Sequence, residues 1–193
     1  MKRVGITGGM GCGKSTVVAT FATLGVPAFV ADRAGAECYR DPLFLDELRR
    51  LFGDEVFSPD GQPDKRRIAA RVFANGSEMQ ALNALVHPRV MEAFDLFCRQ
   101  HADAPYVLFE SAILYDYGFD SLMDSVICVY LGLDERLRRL ALRDHATEEE
   151  LMARIRRQMP ASEMMRRADY VILNYEGNPR RRQVEYIDKK LRQ

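Results

Sequence analysis

Charge of one sign is what this sequence most plainly lacks. Its 28 lysines and arginines balance 28 aspartates and glutamates. There is no global basic field to recruit nucleic acid and no acidic tail for a histone-like partner. No apolar run approaches the roughly 20 residues of a membrane span, so no membrane partner is expected. The first residues run straight into a strand-like segment, so no signal peptide is expected, and a cytoplasmic protein is. Cysteine is sparse: four, at 12, 38, 98 and 128, with no Cys-x-x-Cys pair. That excludes a metal centre legible in the sequence and leaves small buried thiols in a reducing compartment. Histidines 87, 101 and 145 are equally scattered. Internal repeats and low-complexity segments are absent. With 193 residues there is room for one sizeable core and one or two insertions. A monomer or weak homo-oligomer is expected.

What is present is concentrated near the start. Gly8, four residues, then Gly13-Lys14-Ser15 is the spacing of a phosphate-binding loop (P-loop). Arg3 to Thr7 before it is short and rich in β-branched residues, as a buried strand is. After it, Val17, Val18 and Phe21 fall on one helix face. Strand, glycine loop and helix thus come in the required order. The glycines let main-chain N–H groups converge on a phosphate, and the helix start adds its positive dipole end. Lys14 is placed to reach the terminal phosphates and the Ser15 hydroxyl to hold Mg²⁺, with a nucleoside triphosphate as ligand.

Along the chain, Val26 to Ala31 reads as a second strand ending at Asp32. In doubly wound sheets ligands sit beyond the carboxyl ends of the strands. Asp32 is therefore a candidate to accept a hydrogen bond from an attacking hydroxyl, or else the N-cap of a helix beginning at Arg33. Residues 33–100 read as helical, with Phe44, Leu48, Leu51 and Phe52 on one face and Gly53 as a stop. A short helix runs from Lys65 to Phe73. Ser77 with Gln80 has capping-box spacing for the next, and His87-Pro88 is expected to break it before another begins at Arg89. So long a helical stretch is an inserted domain for the second substrate. Its basic cluster at 65–71 suits a phosphate-bearing partner or a solvated helix face. Tyr106 to Glu110 and Val126 to Leu131 are strands apolar on both faces. Glu110 is a candidate for the Mg²⁺ shell, and Asp116 for a cap or a substrate contact. Asp134 caps a helix carrying Arg136, Arg138, Arg139 and Arg143, and Thr147 to Glu150 is a capping box opening another. The second of these has a thin apolar stripe and many arginines. It reads as a lid over a charged ligand or as a solvated basic helix. Ala168 to Asn174 supplies the fifth strand, and a final helix follows Pro179. The expected class is α/β: a P-loop NTPase, five parallel strands flanked by helices, with a helical insertion and an arginine-rich lid.

These residues resemble the dephospho-CoA kinase family over essentially the whole chain. The likeness rests on Ile6 to Ser15, Ala31-Asp32, Val72-Phe73-Ala74 and Leu82 to Pro88. It continues in Arg139-Leu140-x-x-Arg143-Asp144, Gln158 and Ala168-Asp169-Tyr170-Val171-Ile172-x-Asn174. The resemblance implies transfer of the ATP γ-phosphoryl group to the ribose 3′-hydroxyl of dephospho-CoA, with Mg²⁺. Gly8, Gly9, Gly11, Cys12, Gly13, Lys14, Ser15 and Thr16 then hold the nucleotide, joined by Asn174. Asp32, Lys14, Arg139 and Arg143 carry the chemistry, and Asp32, Lys65, His87 and Glu110 face the acceptor. Three parts are implied: a nucleotide core (1–32, 101–137, 168–193), the acceptor insertion (33–100) and the lid (138–167). The sequence departs from the family in three places. Val30 replaces the first acid of Asp-Ala-Asp, Ala112-Ile113-Leu114 replaces Pro-Leu-Leu, and Lys65 stands where arginine is common. The last exchange turns a bidentate phosphate contact into a point charge. A different small-molecule kinase, for nucleosides, nucleotides or shikimate-like alcohols, shares the loop, insertion and lid. A GTPase switch requires an Asn-Lys-x-Asp signature, which is absent.

Overall fold

A computed structural model describes all 193 residues, Met1–Gln193. The chain divides into two compact units, Met1–Val30 with Cys98–Gln193, and Ala31–Phe97. The first is built on five parallel strands: β1 (Lys2–Thr7), β2 (Ala28–Val30), β3 (Tyr106–Glu110), β4 (Ser125–Tyr130) and β5 (Tyr170–Leu173), in the order β2-β3-β1-β4-β5. Parallel crossovers put helices on both faces, and β1, β3 and β4 are accordingly near-continuous runs of buried residues. Val4 and Ile6 of β1 pack with Val17 and Phe21 of α1 (Lys14–Ala22) and with Val184 and Ile187 of α9 (Arg180–Leu191). The Tyr106 hydroxyl donates to Asp188 (2.7 Å) and so ties β3 to α9. Burial, with the Asp188 carboxylate beside it, holds that phenol far above its usual range.

Strand order reverses at β1, with β2 and β3 on one side of it and β4 and β5 on the other. The crevice for a ligand therefore opens at the carboxyl end of β1, where Gly8 begins. At the outer edge, the side-chain amide of Gln183 on α9 lies against β5. It accepts from the Leu173 N–H (2.9 Å) and donates to the Leu173 carbonyl (3.0 Å).

After β4 come α6 (Leu133–Asp144), α7 (Glu148–Ile155) and α8 (Ala161–Arg167). The Thr147–Glu150 capping box is formed in both directions. Asp134 does not cap α6; Gly132 holds that position without a side-chain bond, and Asp134 and Glu135 lie in the first turn, where the dipole favours acids. The short α8 has no counterpart in the sequence reading.

The second unit is helical: α2 (Ala31–Cys38), α3 (Pro42–Phe52), α4 (Lys65–Ala74) and most of α5 (Gly76–Gln100). Phe44, Leu48, Phe52, Val56, Ile68 and Val72 form its own core, while Leu51 is 40% exposed. Three expectations are corrected here. Asp32 is not an N-cap, because α2 already starts at Ala31 and Asp32 lies in its first turn. Asn75, rather than Ser77, supplies the capping oxygen of α5, accepting from the Ser77 N–H (3.1 Å) and hydroxyl (2.8 Å). Nor does His87-Pro88 end a helix, since α5 runs through Pro88 unbroken. Pro88 cannot donate to the Ala84 carbonyl four residues back, and next to that gap the Arg89 guanidinium donates to the Leu85 carbonyl (3.0 Å). The same side chain pairs with Glu47 of α3 (3.0 Å), pinning the helix at its weak point.

Candidate active site

The loop from Gly8 to Gly13 takes its shape from conformations that side chains oppose. Gly8 has φ 145° and Gly13, which opens α1 in the left-handed region, has φ 87°. A Cβ on Gly8 would strike the Val129 carbonyl oxygen of β4, and one on Gly13 would strike the Asn174 amide. The Thr16 N–H donates to the Gly13 carbonyl (3.1 Å), whereas the N–H groups of Lys14 and Ser15 at the start of α1 have no intrahelical partner, and Gly13 offers no side chain to cap them. They form a ready anion site. Lys14 folds back so that its Nζ donates to the Gly8 carbonyl (2.9 Å). Ser15 and Thr16 are exposed on the first turn of α1, whereas Cys12 is buried. Burial pushes the Cys12 thiol up, which keeps it protonated as an apolar filler.

No group of three or more His, Cys, Asp or Glu side chains could hold a metal ion. The donor set, an exposed serine hydroxyl beside a phosphate-binding loop, fits Mg²⁺, which keeps several waters and shares its shell with phosphates.

Three side chains from distant parts of the sequence brace the loop. Asn174, 3% exposed beyond the end of β5, donates from Nδ2 to the Cys12 carbonyl (2.7 Å). Arg136 of α6, 6% exposed, donates from Nε to the Met10 carbonyl (2.8 Å). Its guanidinium lies against Gly9, where a Cβ would come within 2.5 Å of it. Gln158, after α7, accepts from the Met10 N–H (2.8 Å). Leu140, one turn along from Arg136, packs on Gly11. Sequence reasoning did not single out Arg136. The available signal was its spacing, four residues before Leu140 on the apolar side of α6.

We expect Asn174→Ala to leave the buried Cys12 carbonyl without its donor, at about 1–3 kcal/mol of stability. Melting temperature and ATP affinity by calorimetry check this; if both stay at wild-type values, Asn174 does not brace the loop.

The arginines of α6 divide. Arg139 donates from Nε to Glu135 (2.9 Å), and its Nη1 lies 3.6 Å from where a Gly13 Cβ would be. Arg138 forks onto the same carboxylate, and Arg138 with Arg139 pulls Glu135 down to about 2. Arg143 instead forks onto Asp144 (2.6 and 3.0 Å), and its side chain is 62% exposed.

Glu110 closes β3, in register with Ile6 of β1 and Val30 of β2. Asp32 follows two residues after Val30. In the helical unit Lys65 is exposed at the start of α4, with its ammonium 5.5 Å above the Tyr39 ring. His87 is half-buried in α5, and burial pushes its pKa down. Two members of the basic cluster hold that unit together. Arg67 donates to the Glu55 carbonyl (3.1 Å), and Arg71 shares its Nε–H between both Glu78 oxygens and donates from Nη1 to the Phe52 carbonyl (2.8 Å).

Residues 2–179 match the sequence profile of CoaE, the dephospho-CoA kinases. A dephospho-CoA kinase of Bacteroides fragilis is 38% identical over 173 residues, 89% of this chain and 84% of the relative. That of Geobacillus kaustophilus is 37% identical, covering 89% and 87%. A crystal structure of a Thermus thermophilus protein superposes with a TM-score of 0.89 at 32% identity, over 98% and 96% of the two chains. A dephospho-CoA kinase from Campylobacter jejuni (TM-score 0.68, 21% identity, 98% and 96% covered) shares the fold. So does a shikimate kinase from Bacteroides thetaiotaomicron (TM-score 0.53, 18% identity, 100% and 99% covered). With a P-loop in the required conformation at the switch point of the sheet, and relatives aligned along nearly its whole length, this chain belongs to the dephospho-CoA kinase family.

Proposed function

We propose that the loop, the lid and Asp32 carry out phosphoryl transfer from ATP to the ribose 3′-hydroxyl of dephospho-CoA, releasing ADP and CoA. The observation that carries this is the braced P-loop at the carboxyl end of β1, together with the family match. Gly8 to Thr16 hold the triphosphate, with Lys14 on its terminal phosphates. The Ser15 hydroxyl would hold Mg²⁺, which when bound would neutralise charge on the triphosphate. Asp32 accepts the hydroxyl proton as the acceptor oxygen forms its bond to the γ-phosphorus and the bond to the leaving ADP oxygen breaks. Arg139 stabilises the charge on the moving group. Lys65 and His87 belong to the acceptor side, with Glu110 at the end of β3. No helix is long and apolar enough to cross a membrane, and we place the reaction in the cytoplasm.

A coupled ADP-release assay with and without dephospho-CoA tests the assignment. Release that depends on a nucleoside or on shikimate, and not on dephospho-CoA, would replace it with another small-molecule kinase.

Arg139→Ala should lower kcat about 10²-fold with little change in ATP KM, because its contact strengthens in the transition state. Arg143→Ala should cost less than about tenfold, since Arg143 must first leave Asp144. Steady-state kinetics of the pair decides; a pure KM effect at Arg139 would make it a binding residue only.

A further inference from the structure

One residue of the phosphate loop, Met10, is held through both its main-chain polar groups by the chain that carries the lid arginines. The Met10 carbonyl accepts from Arg136 Nε and the Met10 N–H donates to Gln158 Oε1, each at 2.8 Å. Arg136 stands in α6 just before Arg139 and Arg143, and Gln158 follows α7 with Arg154. Both ends of the arginine-bearing segment therefore meet at Met10. Neither contact with Met10 is needed to form the loop's own turn, which the Cys12 N–H closes onto the Gly9 carbonyl (3.1 Å).

We propose that Arg136 and Gln158 are positioning residues for the phosphoryl transfer, setting the Met10 main chain in register with the lid so that the seated triphosphate and Arg139 meet in one geometry. The proposal rests on the phosphotransferase reading above. Misplacing a reacting group by about 1 Å costs up to about 10²-fold in rate, so a hydrogen bond that fixes loop against lid acts on kcat without touching substrate.

Gln158 is the better probe, because it is half-buried whereas Arg136 is almost fully enclosed. Gln158→Ala should lower kcat about tenfold, leave ATP KM within about threefold, and speed hydrogen exchange of residues 148–157 with a non-hydrolysable ATP analogue bound. Gln158→Glu still offers an oxygen to the Met10 N–H, so it should restore the slow exchange. Its new negative charge should raise ATP KM. A contact that only stabilised the fold would move melting temperature and leave this KM-against-kcat split unmoved. An alanine variant with kcat within about twofold of wild type and unchanged exchange overturns the proposal, as does a glutamate variant exchanging as fast as the alanine one. Should the alanine variant fold poorly, the exchange of the glutamate variant decides alone. Wild-type protein without activity on dephospho-CoA would defeat the kinase assignment instead, and the exchange measurement with the ATP analogue would still report on the clamp.

Discussion

Lys14→Ala should reduce turnover with dephospho-CoA by about 10³-fold or more. The ammonium lies over the loop it serves, bonded to the Gly8 carbonyl at 2.9 Å, from where a short swing carries it to a terminal phosphate. Phosphoryl transfer asks little covalent chemistry of the protein and depends on positioned positive charge, so the loss falls mainly on the transition state. The fold should tolerate the change. Asn174, Arg136 and Gln158 hold the loop at other atoms, and Lys14 makes one bond to it. Melting temperature within a few degrees of wild type, with single-turnover transfer almost abolished, is the expected pair of results. Lys14→Arg should restore little, because a planar guanidinium does not replace a compact ammonium inside a tight loop. Turnover of Lys14→Ala within about threefold of wild type would remove this residue from the mechanism.

Asp32→Asn should lower kcat by about 10³-fold, inside the 10²–10⁴-fold range of general-base help, with ATP affinity nearly unchanged. Asparagine keeps the shape of the side chain and cannot take the proton. The structural cost is small: Asp32 lies in the first turn of α2, where its charge favours the helix dipole by about 0.3–1 kcal/mol. Since Asp32 does not cap that helix, loss of a cap cannot account for a large defect. Val30 at the end of β2 leaves no second acid in that segment to substitute. Calorimetric ATP binding, melting temperature and steady-state rate separate these terms. A variant keeping more than about a tenth of wild-type kcat would sink the catalytic role.

The residues that are legible in the sequence share one property: their requirements are local. Gly8, Gly13, Lys14 and Ser15 must stand at fixed spacing because a single turn of backbone wraps one phosphate. The inner strands are legible because burial on both faces leaves no room for polar residues. What escaped depends on partners far along the chain or on a side-chain choice. Arg136 looks like any arginine of a basic helix until Met10, 126 residues away, supplies the carbonyl it bonds. Pro88 reads as a break, and the donation from Arg89 to the Leu85 carbonyl beside it is invisible in the pattern. Spacing puts Arg139 and Arg143 on one face, yet a fork onto the adjacent Asp144 turns Arg143 aside. The α8 helix rests on one fully buried apolar side chain, Met164, too little to show as a periodic stripe.

The amide of Gln183 lying against β5 bears on how copies of this chain behave in a crowded cell. An edge strand with Val171 and Leu173 facing outward is the usual place for one molecule to template sheet growth on another. Here the main-chain donor and acceptor of Leu173 are already occupied by a side chain of the same molecule, which imitates the next strand without being one. A newly made copy meeting this edge finds its register interrupted within a strand of four residues, too short for a second chain to zip along. One glutamine on the last helix thus closes an edge on which a second copy would otherwise pair.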